Sequence, residues 1–254
     1  MEKERQFDNF DEFAKGYRKT HNKAIEVSGA DSDYFSEHKI IELLKLENSN
    51  QHLKILDFGC GDGNSVVFLR KHFPNASIVG VDVSEESIIV AKNKEITNST
   101  FTTFNGTILP FQKEEFDIVF TAMVFHHIAP QLHKGILTEI VRVLKKGGRF
   151  YNFEHNPCNP FTRKVVRGCE FDKDAVLLKP SYHRNLVKNS GLERLKLYYT
   201  LFFPRHKIFK IFLGLEKLLS WCPIGAQYYI RAVKTSEGER ESEVGNALMT
   251  NTNL

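Results

Sequence analysis

Ile55-Leu-Asp-Phe-Gly-Cys-Gly-Asp-Gly63 is a short apolar run that turns straight into glycines. The run reads as a buried strand, and the glycines read as a turn in which backbone approaches a ligand closely. Outward from it, Ser77-Ile-Val-Gly-Val-Asp82 is a second strand ending in an acid. Between them, Val66 to Phe73 has the pattern of a helix and stops at Pro74. Ser84 caps the next helix, with Glu85 and Glu86 in its first turn, where the helix dipole favours negative charge. Phe101–Phe104 and Phe116–Phe120 are the third and fourth strands. Leu132–Leu144 is a helix closed by Lys-Lys-Gly-Gly, and Arg149–Glu154 is the fifth strand.

Strands alternating with helices imply parallel pairing and right-handed crossovers, hence a doubly wound α/β sheet. Leu195–Phe203, Lys207–Trp221 and Gln227–Val233 read as a closing strand, helix and strand. Ligands of such sheets sit beyond the carboxyl ends of the strands. The first 48 residues are expected to form a helical cap, residues 49–234 the main domain, and residues 235–254 a disordered tail with four glutamates and one arginine.

The 254 residues carry 41% hydrophobic and 26% charged side chains, which excludes wholesale disorder. No run of about 18 apolar residues is present, and no secretory leader is expected from the charged opening. The four cysteines, Cys60, Cys158, Cys169 and Cys222, are scattered. No metal site or disulfide is expected from them, and a cytoplasmic location is. Net charge is +4, but residues 140–210 hold 16 Lys/Arg against 5 Asp/Glu. That imbalance reads either as a solvated basic face or as attraction to an anionic substrate or a membrane surface. Aromatics interleaved with cations over Phe202–Phe212 leave the same choice between peripheral membrane contact and core. No nucleic-acid-binding module is visible.

The loop departs from the dinucleotide fingerprint G-x-G-x-x-G, because Asn64 stands where the third glycine belongs. Asp82 lies where a second-strand acid accepts ribose hydroxyls.

Ile55–Gly63 resembles motif I of the class I S-adenosylmethionine-dependent methyltransferases. Val79-Gly-Val-Asp-Val-Ser84, Leu109-Pro-Phe111 with Phe116-Asp-Ile-Val119, and Val143-Leu-Lys-Lys-Gly-Gly-Arg149 resemble the motifs that follow it. The resemblance spans roughly residues 50–155. It implies a Rossmann-like, mostly parallel seven-stranded sheet with an antiparallel last strand, and S-adenosylmethionine as cofactor. By that resemblance Asp57, Gly59, Cys60 and Gly61 face the amino-acid end of the cofactor. Asp82 takes the ribose hydroxyls, Val83 packs on adenine, and Ile108 walls the adenine pocket. Asn105, with Gly106 after it, stands where the family often has an acid, and its amide oxygen is expected to accept from the adenine amine. Thr121 closes the fourth strand near the methionine part, and Tyr17 reaches in from the N-terminal segment.

An oxygen acceptor needs its proton removed as the methyl arrives. His126 and His127 after the fourth strand, and Glu154 and His155 after the fifth, are the candidate catalytic residues. Each histidine reads equally as a cap or a backbone partner. Glu154-His-Asn-Pro-Cys-Asn-Pro-Phe161 is a rigid loop, read either as a structural turn or as the start of a substrate loop reaching residue 185. That string, with Cys169-Glu-Phe-Asp-Lys-Asp-Ala-Val-Leu-Leu178, residues 224–229 and Ser28–Phe35, resembles a methyltransferase subgroup of bacterial polysaccharide and surface-glycan gene clusters. This second resemblance implies a sugar hydroxyl, on a small or glycan-linked acceptor, in polysaccharide biosynthesis. Tyr34, Phe35 and Lys39 are then candidates for closing the acceptor pocket. The other readings are an N- or C-methyltransferase, a nucleotide-dependent oxidoreductase, or a non-catalytic scaffold.

Overall fold

The computed structural model describes residues 30–169, 172, 175–203, 214–216 and 218–235. Seven strands form one sheet in the order β3-β2-β1-β4-β5-β7-β6. They are β1 (Lys54–Phe58), β2 (Ser77–Asp82), β3 (Ser99–Thr103), β4 (Phe116–Ala122), β5 (Leu144–His155), β6 (Glu193–Thr200) and β7 (Gln227–Val233). The pairs from β3 to β5 are all parallel, and β7 lies antiparallel between β5 and β6. This is the expected seven-stranded Rossmann-like architecture.

Helices cover both faces, so the central strands are apolar on both sides. Ile55, Ile118, Phe120, Tyr151, Phe153 and Tyr229 pack on one side, and Leu56, Phe58, Val119, Phe150 and Ile230 on the other. The alternation along each strand is the period-two signature of a sheet buried from above and below. The helices are α1 (Ser32–Leu44), α2 (Asn64–His72), α3 (Glu85–Lys92), α4 (His133–Val143), α5 (Pro160–Gly168) and α6 (Pro180–Lys188). Their starts follow local chemistry. The Ser84 hydroxyl accepts from Ser87 N–H at 3.1 Å, and the Asn159 carbonyl accepts from Phe161 and Thr162 N–H at 2.9 and 3.1 Å, with Pro160 as first helical residue.

Helix α1 is docked into the sheet rather than set apart from it. Ile40 and Leu43 join the first core side. Just beyond α1, Glu47 accepts from Arg149 Nη2 and from Tyr151 OH, each at 2.6 Å. His38 Nε2 lies 2.7 Å from Thr200 Oγ1.

Two boundaries differ from the sequence reading. Lys145–Gly148 does not end a helix but begins β5. Gly147 adopts φ +75°, and its N–H donates to Lys234 O while Lys234 N–H donates to Gly148 O. The glycines absorb a register shift against β4, between Phe116 and Ile118, that a period-two pattern cannot show. The last parallel strand ends at Thr200 rather than Phe203. Most of the expected helix Lys207–Trp221, the disordered tail beyond 235, and the part of the N-terminal cap before residue 30 lie outside the described residues. Among the described residues no helix is long and apolar enough to cross a membrane.

Gly80 sits where β2 is crossed by other side chains. A Cβ there would meet Phe101 Cδ1 at 2.6 Å and Cys60 Sγ at 2.8 Å. Gly80→Ala is expected to cost about 1–3 kcal/mol by overpacking, read as a lowered urea midpoint with an unchanged slope.

Candidate functional site

The carboxyl ends of β1 and β2 build a backbone cradle. Gly59 and Cys60 N–H both donate to Val81 O, at 2.8 and 3.1 Å, folding the loop back onto β2. Gly59, Gly61 and Gly63 have φ of +73°, +50° and +77°, a region that favours glycine. A side chain at Gly59 would collide with Val124, whereas a Cβ at Gly61 would meet nothing within 4 Å among the described residues. The loop is therefore closed beneath Gly59 and open above Gly61. Asp82 fixes its shape: Oδ2 accepts from Gly61 N–H at 2.8 Å and Oδ1 from Ser84 N–H at 3.0 Å.

Asp57 lies behind this loop, 1% exposed. Its Oδ2 has no hydrogen-bond partner among the described residues. Burial, reinforced by the charges of Asp82 and Asp62, pushes its carboxyl up to about 8. Such a group is completed by a ligand bringing donors or positive charge. Thr121 Oγ1, at the end of the neighbouring β4, is likewise buried without a partner among the described residues. The sequence-predicted Asp57, Gly59, Cys60, Gly61 and Asp82 thus come together, with Val83 half-buried next to Asp82. Gly106 is buried at φ +82°, and Ile108 is 63% exposed.

Asn105 departs from the expectation. Its carbonyl oxygen accepts from Thr107 N–H, Thr107 Oγ1 and Ile108 N–H at 2.9–3.0 Å. Those lone pairs are spent on a local Asx turn and leave no acceptor for an adenine amine. Tyr17 lies outside the described residues.

A second cluster is built from side chains at the ends of β4 and β5. Met123, at φ +61°, breaks β4 while its N–H still donates to Phe153 O at 2.9 Å. Phe125–His127 then forms one 3-10 turn. Glu154, fully buried on β5, holds that turn. Its Oε1 accepts from Phe125 N–H at 2.9 Å and its Oε2 lies 2.6 Å from His126 Nδ1. His127 lies tilted against His126 with ring centroids 4.1 Å apart, and the His155 ring centroid lies 5.3 Å from that of His126. All four predicted catalytic residues therefore meet.

Asp172 joins them, its Oδ1 3.6 Å from His126 Nε2 and 3.4 Å from His127 Nε2. Sequence reasoning missed it, since it was noticed only as part of a longer string. Its place is set by Val176 N–H, which donates to His126 O at 2.8 Å and brings the chain after α5 back over the turn.

Charge organises this cluster. Burial works against an imidazolium at His126, but Glu154 and Asp172 outweigh it and hold His126 up to about 9. Glu154 and Asp172 are likewise below the usual carboxylate range despite burial, because His126 faces both. Burial and the neighbouring His126 push His155 down to about 3. Lys39 of α1, 5% exposed, donates to Phe35 O at 3.0 Å. Burial lowers it to about 8 against the pull of Glu154.

The Asn-Pro loop has a clear structural part. Asn156 Nδ2 donates to Pro223 O and Gly225 O, and Asn159 Nδ2 to Ile224 O, at 2.7–2.9 Å. Both asparagines tie the loop to the segment leading into β7.

Residues 55–148 match the family model of a methyltransferase domain. An uncharacterized methyltransferase of Synechocystis sp. is 35% identical over 107 residues, 42% of this chain and 49% of that protein. The malonyl-[acyl-carrier protein] O-methyltransferase of Herminiimonas arsenicoxydans is 32% identical over 136 residues, 51% of this chain and 49% of that protein. The chain thus spans about half the length of the curated relatives it matches. Among solved structures, an S-adenosylmethionine-dependent methyltransferase of Thermotoga maritima shares the fold at TM-score 0.63 and 21% identity, covering 89% of this chain and 98% of that one.

Glu154→Ala removes the partner of a buried imidazolium and of Phe125 N–H together. It is expected to cost about 3–5 kcal/mol, with Glu154→Gln losing clearly less because it keeps an acceptor for the N–H. Urea unfolding of the two variants checks the order.

Proposed function

From the methyltransferase domain at residues 55–148, we propose that this chain is an S-adenosylmethionine-dependent methyltransferase acting on a sugar hydroxyl, free or glycan-linked. The observation that carries the cofactor reading is the buried Asp57 Oδ2, unpartnered among the described residues, beside a glycine loop that those residues leave open at Gly61. S-adenosylmethionine brings an ammonium and a sulfonium, the complement of that acidic corner. Asp57 and the loop would hold its amino-acid end, Asp82 its ribose hydroxyls, and Ile108, Val83 and Gly106 its adenine. When bound, it supplies a methyl group activated by its positive sulfur.

The chain's own residues then align the acceptor and manage one proton. With the cofactor supplying the methyl group, the acceptor hydroxyl would be aligned at this edge and its proton would pass to His127, because His126 already carries one. Glu154 keeps His126 in one orientation, and His127 and His155 each lie against His126, forming a cluster on the ligand edge of the sheet. A hydroxyl nucleophile has use for such a cluster, whereas an amine attacks without one. The basic excess over residues 140–210 suits an acceptor carrying phosphate or another anion. It also suits contact with a membrane surface bearing a lipid-linked acceptor.

Two experiments test this. Titration calorimetry of S-adenosylmethionine at pH 7, in buffers of different ionisation enthalpy, should show nearly one proton released per cofactor bound. Free Asp57, with its carboxyl at about 8, is mostly protonated there, and a cationic ligand favours the carboxylate. Affinity should therefore rise with pH towards 8. Asp57→Asn should abolish the proton release, and Asp82→Ala should weaken binding tenfold or more. Unchanged affinity in Asp82→Ala would refute the cofactor map. Separately, methyl transfer to a panel of sugars, nucleotide sugars and lipid-linked sugars should fall about 10²–10⁴-fold in His127→Ala. A preference for amine or carbon acceptors, with His127→Ala near wild type, would place the reaction in another acceptor class.

A further inference from the structure

His126, His127 and Asp172 are spaced as ligands of a metal ion. The gaps from Asp172 Oδ1 to the two Nε2 atoms, 3.6 and 3.4 Å, are too long for charge-assisted hydrogen bonds of about 2.7–2.9 Å. They come close to the edge of a tetrahedron around an ion held at about 2.0–2.1 Å, which is about 3.3 Å. One ligand atom from each residue lies within 4.8 Å of the other two.

His126 supplies an independent sign. Its side chain is 1% exposed, and its Nε2 has no hydrogen-bond partner among the described residues. Buried polar atoms without a partner are rare and call for an explanation. Its Nδ1 is held at 2.6 Å by Glu154. A carboxylate on one ring nitrogen is the outer partner that metal-ligating histidines use to present the other. Glu154 and Asp172 set two carboxylates about the paired imidazoles, and an ion bound there would take the place of the proton on His126 Nε2. His127 and Asp172 each keep 12% side-chain exposure, which leaves the ion a way in.

We propose that His126, His127 and Asp172 bind one divalent transition-metal ion of the zinc, cobalt or manganese class, oriented by Glu154. This goes against the scattered cysteines, which gave no reason to expect a metal. Two imidazoles and one carboxylate leave coordination positions open. The role of the ion rests on the methyltransferase reading: it would acidify an acceptor oxygen taken into an open position, and this would replace proton transfer to His127, which then serves as a ligand. The binding itself does not depend on that reading.

The test uses the full chain, stripped with a chelator, dialysed and titrated with no cofactor present. Zn²⁺ is followed by calorimetry and Co²⁺ by its visible absorption. One equivalent should bind at micromolar concentration or tighter, with the intense visible band of a four-coordinate cobalt site. His127→Gln and Asp172→Asn, both at less-buried positions, should each weaken it by more than the about 10–100-fold that loss of an outer partner costs. Cys158→Ser, which removes an exposed thiol, should leave it unchanged. Absence of stoichiometric uptake by folded protein, or uptake as tight in His127→Gln and Asp172→Asn as in wild type, overturns the site. S-adenosylmethionine affinity measured on the same preparation reports separately on the methyltransferase reading.

Discussion

A carboxylate with no contact to water must be paired, and Glu154 is the group around which the functional edge of this sheet is arranged. It sits at the end of β5, 0% exposed. The cost of leaving such a charge unpaired is several kcal/mol, larger than the strain that the neighbouring turn accepts. Met123 therefore adopts φ +61°, so that Phe125 N–H and His126 Nδ1 both reach the carboxylate. With His126 held, His127 and the carbonyl that receives Val176 N–H are also set in place. One buried charge thereby orders residues from three separate stretches of chain.

The two halves of the site are made by different means. The glycine loop is a backbone construction: its shape depends on φ angles and on Asp82 accepting from two N–H groups. Such geometry needs glycines at particular spacings and an acid at the end of the next strand, so it leaves a local signature. The matched family model, residues 55–148, ends before β5 delivers Glu154. The imidazole cluster is a side-chain construction drawn from β4, β5 and the chain after α5. Relatives that share the first half need not share the second.

This division explains what could be read in advance. Asp57, Gly59, Gly61 and Asp82 were legible because spacing alone brings them to one edge of a parallel sheet. His126, His127, Glu154 and His155 were legible as candidates because two strand ends lie side by side. Asp172 was not: only the return of the chain over the 3-10 turn brings it there, and no period encodes that return. The start of β5 was hidden for a different reason. Lys145–Gly148 has the composition of a helix end, and pairing with Lys234 converts it to a bulged strand. Asn105 was misjudged because an amide oxygen counted as free for a ligand is consumed by its own turn.

Lys39 links helix α1 to the same cluster. A buried ammonium is stable only near a carboxylate or a set of carbonyls, and Lys39 has Phe35 O directly and Glu154 within electrostatic reach. Its burial depends on α1 lying against the sheet, which Glu47 secures through Arg149 and Tyr151 of β5. The helix is thus an electrostatic wall of the imidazole cluster as well as a packing element. Any rearrangement that lifts α1 moves the Lys39 ammonium away from Glu154 and hydrates the cluster together. The charge state of the imidazoles is for that reason coupled to the docking of a helix that lies outside the matched methyltransferase segment.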